Sequence, residues 1–239
     1  GDNISSAGKI LKIAQFKGGQ SNPTYKISTE KQQFVLRRKP PGVLLPSAHA
    51  IDREYKVITA LQQSKVPVPK TYGLCEDEAV IGTAFFVMDF LDGNIYWDLL
   101  LGDKSTAERS DIYASKNNII AQLHMVDYES VGLSDYGKPG NYIARQVSRW
   151  TKQYIASETQ DIPAMNKLID WLPSNIPDED ETSIVHGDYR LDNMVFNANN
   201  YVMGVLDWEL STLGHPIADF NYHCMGWRNI PQLVDEKFC

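Results

Sequence analysis

The spacing of apolar residues changes near residue 90, and that change limits the fold of this chain more than any other feature. Before it, apolar positions fall in short β-prone runs (Ile10, Ile13, Tyr25, Ile27, Phe34 and Val35) around the turn-rich stretch Gly18-Gly19-Gln20-Ser21-Asn22-Pro23. Phe34-Val35-Leu36-Arg37 predicts a strand that stops at Pro40-Pro41. Asp52 to Gln63 predicts a helix with Tyr55, Ile58 and Leu61 on one side, and Val66-Pro67-Val68-Pro69 cannot continue it. Ala84 to Phe90 predicts a further strand, and Asp89-Phe90-Leu91-Asp92-Gly93 reads as a connector. Beyond it the period becomes helical. Ser105-Thr106-Ala107-Glu108 has the form of a capping box, with Ile112, Ile119, Leu123 and Val126 as a stripe behind it. Ile143, Val147, Trp150 and Tyr154 form a second stripe, and Met165, Leu168, Ile169 and Leu172 a third, stopped by Pro173. Strand character returns at Ile184-Val185, then at Met194-Val195-Phe196 and Tyr201 to Leu206 on either side of Asn197-Ala198-Asn199-Asn200. A small β-rich lobe followed by a helical lobe with an embedded hairpin is an α+β plan.

Charge divides the chain in the same place. Residues 1–90 carry twelve Lys+Arg against eight Asp+Glu, and residues 91–239 carry eleven against twenty-two. A basic first part and an acidic second part suggest two lobes with different tasks, although drift in surface charge would look the same. The net charge of −7 argues against non-specific binding to nucleic acid, whose phosphates repel such a surface. No apolar run approaches the length of a membrane span, and the first residues lack the pattern of a signal peptide. Cys75, Cys224 and Cys239 form no C-x-x-C pair and read as reduced thiols, which suggests a cytoplasmic protein. Asp178-Glu179-Asp180-Glu181, after Pro177, reads as a solvated linker.

The chemistry gathers around the hairpin. The segment feeding it is His186-Gly187-Asp188-Tyr189-Arg190-Leu191-Asp192-Asn193, and Asp207 follows its second strand. Asn193 enters the hairpin and Asp207 leaves it, so the fold-back brings both to one end, with Asp188 on the loop leading there. Two carboxylates and an amide oxygen are hard ligands suited to Mg²⁺, a cation completed by water and substrate phosphates. Asp192 reads as a turn residue pointing elsewhere.

This spacing matches the H-x-D-x-x-x-x-N catalytic loop of protein kinases, with Asp207 in the part of their later metal-binding aspartate. Gly187, and Trp208-Glu209 where protein kinases have Phe-Gly, resemble instead the aminoglycoside phosphotransferase and choline kinase family, whose loop reads H-G-D-x-x-x-x-N. More narrowly, Phe34 to Gly42 and Asp207-Trp208-Glu209-Leu210-Ser211-Thr212 resemble the kinase-like domain fused to acyl-CoA dehydrogenases and its stand-alone bacterial relatives. The resemblance implies a two-lobed, protein-kinase-like fold, with residues 1–90 as nucleotide-binding lobe and 91–239 as catalytic and acceptor-binding lobe. It implies ATP and Mg²⁺ as cofactors and the hydroxyl of a small molecule, a hydroxy acid or hydroxyacyl compound, as acceptor. It also suggests an association with an acyl-CoA dehydrogenase. Asp188 is then the base and Arg190 a γ-phosphate contact, with Asn193 and Asp207 as metal ligands. Arg37 touches the α/β-phosphates and Glu54 pairs with it. Val66 to Lys70 links helix to sheet, and Val87-Met88-Asp89-Phe90 is the hinge at the adenine. Asp219, in Gly214-His215-Pro216-Ile217-Ala218-Asp219, holds the catalytic loop. Arg37 departs from the more usual Lys. Only 20 residues follow Asp219, where family members usually carry further helices that finish the substrate pocket, so either the sequence is shortened, or segments lie outside its numbering, or the acceptor site is incomplete.

Other readings compete. Gly19, Ser21 and Asn22 could offer donors to phosphate, or form a plain hairpin turn, since neither G-x-G-x-x-G nor a Walker A motif is present. His186 reads as a loop-orienting residue and His124 as a packing residue. His215 and His223 lack a zinc signature. Trp150, Tyr154, Trp208 and Trp227 read as core aromatics, one or two of which could line the acceptor pocket. As a whole the chain could instead be a pseudokinase module regulating an enzyme of acyl-CoA metabolism, although such a scaffold need not keep Asp188, Asn193 and Asp207 together. A metal-dependent phosphohydrolase would leave Arg37 and Glu54 without a role.

Overall fold

The alternating apolar pattern of the first ninety residues becomes one antiparallel sheet. A computed structural model describes residues 7–16, 22–40, 50–178 and 181–228. Strands β1 (Ile10–Gln15), β2 (Thr24–Thr29), β3 (Gln33–Arg38), β4 (Thr71–Cys75) and β5 (Phe85–Asp89) lie in the order β1-β2-β3-β5-β4. In β5 the side chains alternate, with Phe86 and Met88 buried, as a half-covered strand requires. The cover is helix α1 (Ile51–Leu61), which turns Ile51, Val57, Ile58 and Leu61 inward and buries Glu54 beside them. Tyr55, expected on the buried side, packs only partly against the core. Strand β4 carries no strong apolar alternation and was not expected; it is ordered by pairing with β5.

Helix α2 (Thr106–His124) opens on the expected capping box: Glu108 N–H donates to Ser105 Oγ, and Ser105 N–H donates to Glu108 Oε2. It buries Ile112, Ile119, Ile120 and Leu123. Helices α3 (Tyr142–Ser157) and α4 (Pro163–Trp171) present their two stripes to each other and to Ile217 around a shallow groove, and neither has a fully buried residue. Trp150 is therefore 57% exposed, not a core aromatic, because two narrow stripes meet with no third layer over them among the described residues. Trp208 is fully buried, as expected, and the side chain of Trp227 lies outside the described residues. Helix α4 stops before Pro173, which sits in a 3₁₀ turn over Leu172–Ser174.

Two short ribbons carry the loops of interest. Strand β6 (Ser183–Val185) pairs with β9 (Thr212–Gly214), and β7 (Met194–Phe196) pairs with β8 (Val202–Val205) as the expected hairpin. Strand β9 was not expected, because three residues give no period to read. Helix α5 (Pro216–Arg228) closes the described chain. Among the described residues no helix is long and apolar enough to cross a membrane, and Cys75 and Cys224 are free thiols. Gly187 adopts φ +85°, and a Cβ there would lie 2.7 Å from the Leu210 carbonyl oxygen. Gly187→Ala should therefore cost about 1–3 kcal/mol, from left-handed strain and collision with a backbone atom. Urea denaturation would measure it, and an unchanged midpoint would contradict the assignment.

Candidate active site

The loop after β6 is fixed from behind. Asp219, one turn into α5, accepts the backbone N–H of His186 at Oδ2 and that of Gly187 at Oδ1, the latter at 2.8 Å. Burial alone would push the Asp219 carboxyl up, but His124 beside it and the two N–H donors outweigh this and hold it below its ordinary value. The His186 ring is fully buried. Its Nδ1 takes the N–H of Asp188 at 3.2 Å, so Nε2 carries the proton and donates to the Leu206 carbonyl at 2.9 Å. Burial lowers its pKa, and the ring is a neutral strut between the loop and the end of β8. These are the orienting parts expected of His186 and Asp219; His124, expected to pack, does so beside the Asp219 carboxylate.

Asp188 projects from this support. Its Oδ1 accepts from Tyr222 Oη at 2.8 Å and from Arg190 Nε at 3.0 Å. Its Oδ2 accepts from Asn193 Nδ2 at 3.0 Å, and the same amide nitrogen reaches the Asp188 carbonyl at 2.9 Å. With its nitrogen so engaged, the Asn193 amide keeps its oxygen as the remaining acceptor. The backbone of Asn193 accepts Leu206 N–H at 2.8 Å, which sets the entrance of the hairpin beside its exit. Asp207 stands at that exit with φ 61° and ψ 62°. A left-handed aspartate is uncommon and marks a side chain aimed by its surroundings. Asn193 and Asp207 line one cleft of about 250 Å³ between the sheet and the hairpin. Asp192 lines it too, with Oδ2 paired to Arg190 Nη2 at 3.0 Å. It does sit in a 3₁₀ turn, but it does not point elsewhere: its pairing with Arg190 holds it at the edge of the cleft.

The sheet side of the cleft is charged. Arg37, at the end of β3, forms an ion pair through Nε with Glu54 Oε2 at 2.7 Å. Its Nη2 lies 2.5 Å from Asp207 Oδ1 and 3.5 Å from Glu209 Oε2. Glu209 in turn accepts Asn22 Nδ2 at 3.1 Å. Glu54 is 1% exposed. Its pKa rises to about 7: burial pushes it up, Arg37 pulls it down, and Asp207 and Glu209 add to the rise. Gly19 and Ser21 lie outside the described residues.

The hinge forms the apolar wall. Met88, Asp89 and Phe90 line the cleft with Phe16, Val35 and Leu206. The Asp89 carboxylate is turned back to Tyr72 Oη at 2.6 Å, and the ring of Phe90 lies under Lys26. Asp89 N–H donates to Lys70 O and Phe90 N–H to Gln33 O, the second at a long 3.4 Å.

Every candidate residue within the described chain is thus at the cleft or bonded to a residue that lines it. Two participants were missed. Glu209 follows Asp207 by two residues, a signal in plain view. Tyr222 lies one helical turn after Asp219, and that i, i+3 spacing could have placed it on the loop-facing side.

The profile of the phosphotransferase enzyme family matches residues 12–237. The chain belongs to the phosphotransferase enzyme family. Acyl-CoA dehydrogenase family member 10 of Mus musculus is 49% identical over 218 residues, which are 91% of this chain and 20% of that protein. The chain thus spans about a fifth of that relative's length. A solved Ralstonia eutropha protein, provisionally assigned as an aminoglycoside phosphotransferase, is 56% identical with a TM-score of 0.87, over 95% of this chain and 67% of the other. A thermostable mutant of an aminoglycoside phosphotransferase, solved with ADP and hygromycin B, shares the fold at 12% identity and a TM-score of 0.66, over 92% of this chain and 73% of the other. The family fold is α+β and protein-kinase-like, as the loop motif implied.

The raised pKa of Glu54 makes a pH prediction. A carboxyl whose folded pKa lies above its unfolded value of 4.5 favours the folded state most below 4.5, and that contribution is lost as pH rises through about 7. Thermal unfolding across this window should show falling stability with rising pH in the wild type and a flatter profile in Glu54→Gln. Equal slopes would show that the carboxyl titrates elsewhere.

Proposed function

We propose that the chain is an ATP- and Mg²⁺-dependent phosphotransferase that moves the γ-phosphoryl group to a hydroxyl of a small molecule. The observation that carries the reading is that Asn193 and Asp207 line a cation-bearing cleft at one end of the hairpin, with Asp188 bonded to Asn193 beside them. Residues 1–90 would hold the nucleotide and 91–239 the acceptor. The purine would lie against Met88, Asp89 and Phe90, and the phosphates against Arg37, with Gly19, Ser21 and Asn22 as the proposed further donors to them. Glu54 aims the Arg37 guanidinium, whose planar fork suits phosphate oxygens. The oxygens of Asn193 and Asp207 fit Mg²⁺, one being an amide oxygen left over from its bond to Asp188 and the other a carboxylate. Bound there, the cation would neutralise phosphate charge. Asp188 takes the proton of the acceptor hydroxyl, and Arg190, half exposed beside it, meets the transferred group. Positioning and charge neutralisation then supply most of the rate. The fold relative solved with ADP is consistent with nucleotide use by this fold.

The acceptor is proposed to be a hydroxy acid or hydroxyacyl compound, and the partner an acyl-CoA dehydrogenase, because the Mus musculus relative bears that name. ATP consumption across a panel of hydroxy acids, hydroxyacyl-CoAs and amino sugars tests the class, and turnover of amino sugars alone would overturn it. Asp188→Asn should lower turnover by about 10²–10⁴-fold while ATP still binds. Asp207→Ala should weaken Mg²⁺-dependent ATP binding itself, read by calorimetry. Full activity of Asp188→Asn would remove the base from the scheme, and unchanged nucleotide affinity in Asp207→Ala would remove the ligand.

A further inference from the structure

We propose that Tyr222 is a site of self-phosphorylation, its hydroxyl standing at Asp188 as an acceptor hydroxyl would. This rests on the reading of Asp188 as the base. The Tyr222 Oη donates to Asp188 Oδ1 at 2.8 Å, the relation a base makes to the hydroxyl it is about to deprotonate. Other tyrosines near this loop are tied into the core: Tyr189 Oη donates to the Lys116 carbonyl, and Tyr136 Oη meets Ser211 Oγ. Tyr222 differs. It is 37% exposed, and its hydroxyl is spent on the carboxylate read as the base. Burial and then the bond to Asp188 push its pKa up, so the phenol stays protonated at neutral pH and needs a base to react.

The surroundings also suit the product. Arg190 Nε bonds the same Asp188 oxygen at 3.0 Å, and its guanidinium is half exposed, so a cation flanks the position where the new phosphate would sit. In the step, Tyr222 Oη forms a bond to the γ-phosphorus of ATP. The bond from that phosphorus to the β,γ-bridging oxygen breaks and ADP leaves. The phenolic proton passes to Asp188 Oδ1 and from there to water. The resulting phosphotyrosine places a dianion against the base, so each modified chain should lose activity toward other acceptors.

The full chain, incubated with Mg²⁺ and ATP and no added acceptor, should gain one phosphoryl mass, mapped by peptide mass spectrometry to Tyr222. The rate should not depend on protein concentration, since donor site and tyrosine share one chain. Tyr222→Phe should take up no phosphate, and Asp188→Asn should take it up about 100-fold more slowly or less, with circular dichroism confirming that both variants fold. Wild-type activity toward an acceptor should decline with time of preincubation, while Tyr222→Phe holds its own starting rate. Label on another residue, or an unmodified chain that nevertheless turns over an acceptor, would overturn this proposal and leave the phosphotransferase reading intact. Failure to bind ATP and to modify any acceptor would overturn both.

Discussion

One guanidinium joins the parts of this molecule that do different things. Arg37 leaves the end of strand β3 and meets Glu54 of α1, Asp207 at the hairpin exit and Glu209 just beyond it. Asp207 stands 170 positions away in sequence. Placing such charges out of water is costly, and a buried ion pair is poor evidence for stability on its own. Its effect here is geometric. A buried Glu54 has nowhere to turn but toward Arg37, and a cation held on that side fixes where the carboxylates of the hairpin can lie. Burial lowers the affinity of Arg37 for its proton, but Glu54, Asp207 and Glu209 more than restore it. The guanidinium therefore stays charged in a place where a phosphate chain could share it.

The opposite face of the site follows another rule. The His186 ring and the Asp219 carboxylate are buried, and together they hold the backbone of His186, Gly187 and Asp188. A neutral ring bridges two backbone segments, and an ionised carboxylate gathers two N–H groups. Nothing there is free to react. The groups that remain open, Asp188, Arg190 and the amide oxygen of Asn193, all project forward from that support. The polar groups that orient are buried and bonded, while Asp188 and Arg190 keep part of their surface open. Gly187 belongs to this arrangement, since only a residue without a side chain passes beside the Leu210 carbonyl in that backbone conformation.

The sequence by itself determined most of the strands and helices, because runs of period 2 and runs of period 3.6 can be told apart locally. It determined the start of α2, through a box of local bonds. It also determined the chemistry-bearing loop, whose spacing from His186 to Asn193 is local and whose hairpin returns Asp207 by chain connectivity alone. What it left open depended on distance. Strands β4 and β9 exist only because a partner strand lies beside them. Trp150 has the same apolar character as Trp208, yet one is exposed and the other sealed, since burial depends on what packs above. Asp192 shares the cleft, paired with Arg190, a direction its local turn alone did not show. The attachment of Tyr222 to Asp188, and of Glu209 to Asn22, joins residues that no local pattern relates. Local periodicity and short-range bonding are written along the chain. The meeting of distant side chains is decided only when the layers pack, because that is when water leaves and each polar group must find its partner.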